Sequence, residues 1–153
     1  MIKVIRDKVI RDKIKMVKTK KDIKREWYIV DAKGQILGRL ATKVASTLYG
    51  KGKKNFMPNI DMGDYVVLIN AKDVKVTGRK MENKIYWRHT GYPGGIRKKT
   101  LKEILRTKPE EAVKKAVKGM LPKNKIAREA FKRLRVFAGE SHNIKKEMKE
   151  LKL

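Results

Sequence analysis

Tyr65-Val66-Val67-Leu68-Ile69 is an unbroken apolar run, and it sets the architecture of the chain around it. A strand with one wet face alternates apolar and polar residues. A strand covered on both faces reads as continuously hydrophobic, the pattern of a parallel sheet. Upstream, Trp27-Tyr28-Ile29-Val30 is aromatic and β-branched, and Ala32-Lys33-Gly34-Gln35 breaks it, which predicts a strand and a turn. Between these two segments, Leu37, Leu40, Ala41, Val44 and Leu48 keep the three/four spacing of one buried helical face. Gly50 and Gly52 stop that helix. Val74 and Val76, then Ile85 to Trp87, predict shorter strand segments around a turn at Gly78.

The C-terminal half has the punctuation of helices. Thr100-Leu101-Lys102-Glu103 has the form of a capping box. Pro109 followed by Glu110 and Glu111 is a helix start, with acids suited to the positive end of the helix dipole. The spacing buries Ala112, Val113, Ala116, Val117 and Met120 and exposes Lys114, Lys115 and Lys118, and Pro122 ends the element. A further helix places Ile126, Ala130, Phe131 and Leu134 inside and Arg128, Lys132 and Arg135 outside, with Leu134 to Phe137 near its exit. Lys145 to Leu153 alternates charge and predicts a short frayed helix. Strand, helix, strand and then helices predict an α/β fold around a small, mostly parallel sheet.

Charge narrows the partners. Lys and Arg total 42 against 16 Asp and Glu, a formal charge of +26 over 153 residues. A small domain at that charge repels itself unless a polyanion neutralises it. Met1 to Arg25 carries 11 basic and 3 acidic residues and no aromatic, and is expected to be a basic extension, disordered when free. Residues 26–139 are expected to form one domain and residues 140–153 a tail. Hydrophobic residues make up 41% of the chain, too many for a wholly disordered basic tail. The sequence has no apolar run of about 18 residues and no apolar signal stretch. Cysteine is absent, which fits a reducing, cytoplasmic setting.

Few side chains convene for catalysis. The two histidines, His89 and His142, are far apart in sequence. Asp61 and Asp64 flank Met62-Gly63 and offer the alternative of a Mg²⁺ site of nuclease type. The competing reading is a turn held by side-chain-to-backbone bonds. Gly50-Lys51-Gly52-Lys53-Lys54 lacks the spacing and the following Ser or Thr of a nucleotide-binding loop. No catalytic residue, metal, cofactor or small-molecule substrate is expected.

The basic residues form a more coherent set. Arg39, Lys43, Lys118, Arg128, Lys132 and Arg135 recur opposite apolar stripes without matching acids, and Lys51, Lys53 and Lys54 crowd the end of the first helix. Flexible lysines and the planar forks of Arg39, Arg79, Arg88, Arg97, Arg128 and Arg135 suit phosphates; Lys80 and Lys125 extend the set. Arg88-His89-Thr90-Gly91-Tyr92-Pro93-Gly94-Gly95-Ile96-Arg97-Lys98-Lys99 is the most informative stretch. Its three glycines permit close backbone approach. His89 and Tyr92 offer flat faces for unpaired RNA bases, and Arg88, Arg97, Lys98 and Lys99 bracket them.

At this loop the chain resembles the large-subunit ribosomal protein thirteen family in its bacterial form, from Trp27 to His142. The residues that carry the likeness are Trp27-Tyr28-Ile29-Val30-Asp31-Ala32, Leu37-Gly38-Arg39-Leu40-Ala41, Gly63-Asp64-Tyr65, Asn70-Ala71, Val76-Thr77-Gly78 and His89-Thr90-Gly91-Tyr92-Pro93-Gly94-Gly95. Val117-Lys118-Gly119-Met120-Leu121-Pro122-Lys123-Asn124 and Val136-Phe137-Ala138-Gly139 complete it. The resemblance implies a three-layer α/β/α fold. It also implies a structural, non-enzymatic place in the large ribosomal subunit in the cytoplasm, with large-subunit ribosomal RNA and neighbouring ribosomal proteins as partners, no membrane, and an early role in assembly. By the same likeness Lys118 and Lys123 touch phosphate, and Gly119, Met120 and Pro122 set backbone shape. Two positions depart from the pattern. Ala127 stands where a Gly or Ser is usual. His142-Asn143-Ile144 replaces His-x-His, so His142 is the one histidine left for a contact there.

Overall fold

Parallel pairing organises the main sheet, as the run at Tyr65–Ile69 predicts. The computed structural model describes residues 23–151; most of the expected basic extension, residues 1–22, lies outside them. Four strands run in the order β5-β2-β1-β6: β1 (Trp27–Asp31), β2 (Tyr65–Ile69), β5 (Leu134–Val136) and β6 (Lys149–Glu150). All three pairings are parallel. β2 lies between β1 and β5, and Val66, Val67 and Leu68 are fully buried. Trp27 stands opposite Tyr65 in the β1–β2 register, and their rings stack at 4.3 Å.

The crossover between β1 and β2 is α1 (Leu37–Tyr49). All five residues of its expected apolar face are buried, joined by Ala45. They pack with Val30, Val66 and Leu68 of the sheet, Val113 and Val117 of α4 (Pro109–Met120), and Ala127 of α5 (Lys125–Lys132). Truncating a fully buried leucine such as Leu40 costs about 2–5 kcal/mol, because the lost transfer energy is joined by a cavity. Gly50 closes α1 in the left-handed region (φ 80°) and donates its N–H to the Ser46 and Thr47 carbonyls.

Beside this body stands a separate two-stranded antiparallel ribbon, β3 (Ile85–His89) and β4 (Ile96–Thr100). It is preceded by the short α2 (Lys80–Asn83) and followed by α3 (Leu101–Thr107). A second, smaller cluster of Leu101, Ile104 and Ala112, with Tyr86 and Met81 against it, fastens the ribbon to the helices. The expected capping box is present: Thr100 Oγ1 accepts from the Glu103 N–H, and the Glu103 carboxylate accepts from the Thr100 N–H.

Several expectations are corrected. Val74 and Val76 lie in no strand; Ile36 and Lys75 form one isolated bridge there. Met120, expected inside, is 45% exposed at the end of α4. The last helix stops at Lys132, and Leu134-Arg135-Val136 becomes strand β5, whose in-out-in burial matches a sheet and whose backbone pairs with β2. In place of a frayed helix after Lys145, Lys149–Glu150 adds to the β1 edge as β6. Both misses concern strands of three residues or fewer. Their backbone partners lie over 60 residues away, so local spacing carries little signal for them.

Candidate nucleic-acid interface

The informative stretch Arg88–Lys99 is a hairpin tip with its flanking strands. Thr90 N–H donates to the Gly95 carbonyl (3.0 Å), and Gly95 N–H to the Tyr92 carbonyl (2.9 Å). Gly91 and Gly94 take positive φ. At Gly95 an added Cβ would lie 2.0 Å from Thr90 Oγ1 and 2.8 Å from the Tyr92 carbonyl oxygen, so the tip is wound too tightly for a side chain there. His89 Nδ1 accepts from the Gly91 N–H (2.9 Å). The ring proton then sits on Nε2, a donor available to a ligand.

The ribbon has two unlike faces, because directly opposed residues of an antiparallel pair share a face. Tyr86 pairs with Lys99 and Arg88 with Arg97 on one face; Ile85 pairs with Thr100, Trp87 with Lys98 and His89 with Ile96 on the other. The end bonds, Thr90 N–H to Gly95 and Leu101 N–H to Lys84, set the alternation of the ladder between them. Arg88–Arg97 therefore falls on a hydrogen-bonded pair, and Trp87–Lys98 on the closer non-hydrogen-bonded kind. Tyr86 is half-buried beneath two ammonium groups, Lys115 at 4.9 Å and Lys84 at 5.6 Å from its ring centre. Burial pushes its phenol above the usual tyrosine range. Between Ile85 and Leu101 there is no acidic residue. Of Arg88, Arg97, Lys98 and Lys99, Lys99 lies near Glu111, whose carboxyl is held below the usual range by Lys115 first and then by nearby cations that include Lys99.

A groove of about 400 Å³ joins the ribbon's base to the helices. Gly38 of α1, Thr77, Lys80 and Lys84, and Lys115 and Gly119 of α4 line it. The structure thus gathers Lys80 beside the end of α4, with Lys84 and Lys115, which were not among the expected phosphate contacts. Arg39 and Lys43 are exposed on the outer side of α1. Lys51, Lys54, Arg79, Lys118, Lys123, Lys125, Arg128 and Arg135 are also exposed.

Two expected contacts are engaged within the chain and a third is partly enclosed. The Lys53 ammonium bonds Asp64 (2.6 Å) and the Lys24 carbonyl (3.3 Å). Lys132 pairs with Glu129 at 2.8 Å on the surface, a pair worth little in water. His142 is half-buried near the Phe137 ring, its Nδ1 enclosed without a hydrogen-bond partner.

Asp61 and Asp64 serve as anchors for cations and backbone. Both Asp61 oxygens receive the Arg133 guanidinium, which also donates to the Leu48 carbonyl, and Arg25 reaches Asp61 from outside. Asp64 accepts from the Glu26 N–H and from Lys53. Arg133 is 7% exposed, and its position in a run of surface cations hides that role from sequence spacing. Among the described residues no three His, Cys, Asp or Glu side chains cluster as a metal site would require. No described helix is long and apolar enough to cross a membrane.

The model of the family described as Ribosomal protein L13 matches residues 25–143. The large ribosomal subunit protein uL13 of Syntrophotalea carbinolica is 52% identical over 126 residues, 82% of this chain and 89% of that protein. Its counterpart in Alcanivorax borkumensis is 53% identical over 120 residues, 78% and 84% of the two chains. That of Maridesulfovibrio salexigens is 51% identical over 121 residues, 79% and 85%.

Proposed function

The chain belongs to the Ribosomal protein L13 family, a family of structural proteins rather than enzymes, and on that premise we propose that it is a structural constituent of the large ribosomal subunit. In this reading it binds large-subunit ribosomal RNA, enters the subunit early, and works in the cytoplasm among neighbouring ribosomal proteins.

The observation that carries the RNA reading is the ribbon. Two arginines oppose each other across it with no acid between Ile85 and Leu101. Like charges set directly opposite destabilise a free ribbon, and phosphates relieve that repulsion. The guanidinium forks of Arg88 and Arg97 match phosphate oxygens in pairs. Exposed Lys80, Lys118, Lys123 and Lys125 extend the contact toward the helices. Residues 26–139 act as the platform, and the basic extension of residues 1–25 and the tail of residues 140–153 add contacts around it.

Neutralising roughly 8 to 10 phosphates makes log affinity fall against log salt with a slope of about −6 to −9. Filter binding to a large-subunit ribosomal RNA transcript, with bulk duplex DNA as competitor, tests the reading. The expected result is that slope, with the DNA failing to displace the transcript. A nearly flat salt response, or ready displacement by DNA, contradicts it.

A further inference from the structure

The outer face of the ribbon is built unlike its charged face. Trp87 and Ile96 are each 65% exposed, and Ile85 is 41% exposed. Trp87 stands in the closely spaced pair with Lys98, and Ile96 in the pair with His89. Three large apolar side chains side by side on a ribbon held by a small core are costly to leave in water, and such a patch marks a contact surface. The opposite face already meets the cluster at Leu101, Ile104 and Ala112 through Tyr86, so this one points away from the body.

We propose that this face is a stacking platform for one unpaired RNA base, with the indole of Trp87 as its floor, Ile85 and Ile96 as its flanks, and Lys98 on the adjoining phosphate. The proposal rests on the RNA-binding function above and adds to it a chemical form of RNA. The charge selects the occupant. Lys98 is the cation on this face, Lys84, Arg88, Arg97 and Lys99 stand on the other, and there is no acid from Lys84 to Leu101. A partner seated on Trp87 must therefore present a flat apolar surface with negative charge beside it. A continuous duplex presents phosphates but keeps its base faces stacked inside. An unpaired base supplies both, and stacking on an aromatic ring tolerates any base.

Only two tryptophans are present, and Trp27 is stacked on Tyr65, so Trp27→Phe leaves Trp87 as the single indole reporter. The full-length Trp27→Phe protein is titrated at low salt with single-stranded oligoadenylate and, separately, with a blunt RNA duplex of equal phosphate number. Strong quenching of Trp87 emission by the single strand and little by the duplex is expected. In the wild-type background, Trp87→Ala should weaken oligoadenylate binding about tenfold, the ~1.4 kcal/mol of one stacked base, and leave duplex binding within twofold. Circular dichroism confirms that the variant is folded, and Trp87→Phe should recover most of the loss. Equal quenching by both RNAs, or none by either while both still bind, overturns the platform and leaves the RNA-binding function standing. Failure of the single strand to bind overturns the platform, whereas the function falls only if the large-subunit ribosomal RNA transcript also fails to bind in the filter assay. A Trp87 blue shift seen only on incorporation into the subunit, with no response to oligoadenylate, also overturns the proposal and gives the face to a neighbouring protein.

Discussion

Arg88 and Arg97 face each other directly across the β3–β4 ribbon, so like charges oppose in the free protein, and on the proposed function a polyanion relieves that repulsion. Replacing one of them should therefore separate stability from binding. Arg97→Thr keeps a strand-forming residue and removes the repulsion. It should raise the stability of the free protein by about 0.2–1 kcal/mol. The same change should weaken binding to large-subunit ribosomal RNA and make the salt slope shallower by about 1. A thermal melt and filter binding at three salt concentrations check both halves.

Arg133 should behave in the opposite way. Its guanidinium is buried against Asp61 and the Leu48 carbonyl, so it holds the end of α1 and the segment before β2 to β5. Arg133→Ala leaves Asp61 with only the long contact to Arg25. A cost of about 3–5 kcal/mol in urea unfolding is expected. At temperatures where the variant stays folded, the salt slope of RNA binding should match wild type, since this cation meets no phosphate.

Gly63 is a test of close packing. An added Cβ would lie 1.7 Å from the Leu48 carbonyl oxygen and 2.8 Å from an Arg133 nitrogen. Neither backbone nor guanidinium can yield without breaking the clamp. Gly63→Ala should destabilise by about 3 kcal/mol, read as a lower urea midpoint at unchanged m-value.

Asp31 links β1 to the turn after β2. The Lys33 N–H and the Asn70 amide both donate to its carboxylate at 2.9 Å. These bonds, the Lys33 bond first, hold its pKa below the ordinary 3.8. A carboxyl depressed on folding contributes stability above 3.8, and that stability disappears as pH falls through the lower folded value. Asp31→Ala should therefore lower Tm at pH 7, and the gap from wild type should close as the pH is taken well below 3.8. A gap that stays constant across this range contradicts the assignment.

Much of this molecule is legible in sequence where a residue's neighbours lie nearby. The apolar run Tyr65–Ile69, the spacing Leu37 to Leu48 and the box Thr100–Glu103 each encode their local structure, and all three stand as expected. Signals fail where the partner is distant or the face is wet. Leu134–Val136 is a strand only because β2 is beside it. Ile96-Arg97-Lys98-Lys99-Thr100 shows no useful alternation, because the ribbon exposes both of its faces at that strand. Arg133 lies among Arg128, Lys132 and Arg135 in sequence, and only the tertiary contact with Asp61 distinguishes it. Trp87 reads in sequence only as the end of a short strand segment, and nothing local shows that the fold leaves it 65% exposed.

On the proposed function, the positioned charge of this chain belongs to one folded RNA, that of the large subunit. Sucrose-gradient sedimentation of ribosomal subunits from cells carrying a tagged copy measures it most directly. The tag should travel with the large subunit and remain there through a moderate-salt wash. Recovery of the tag in the free protein fraction at the top of the gradient would contradict the account.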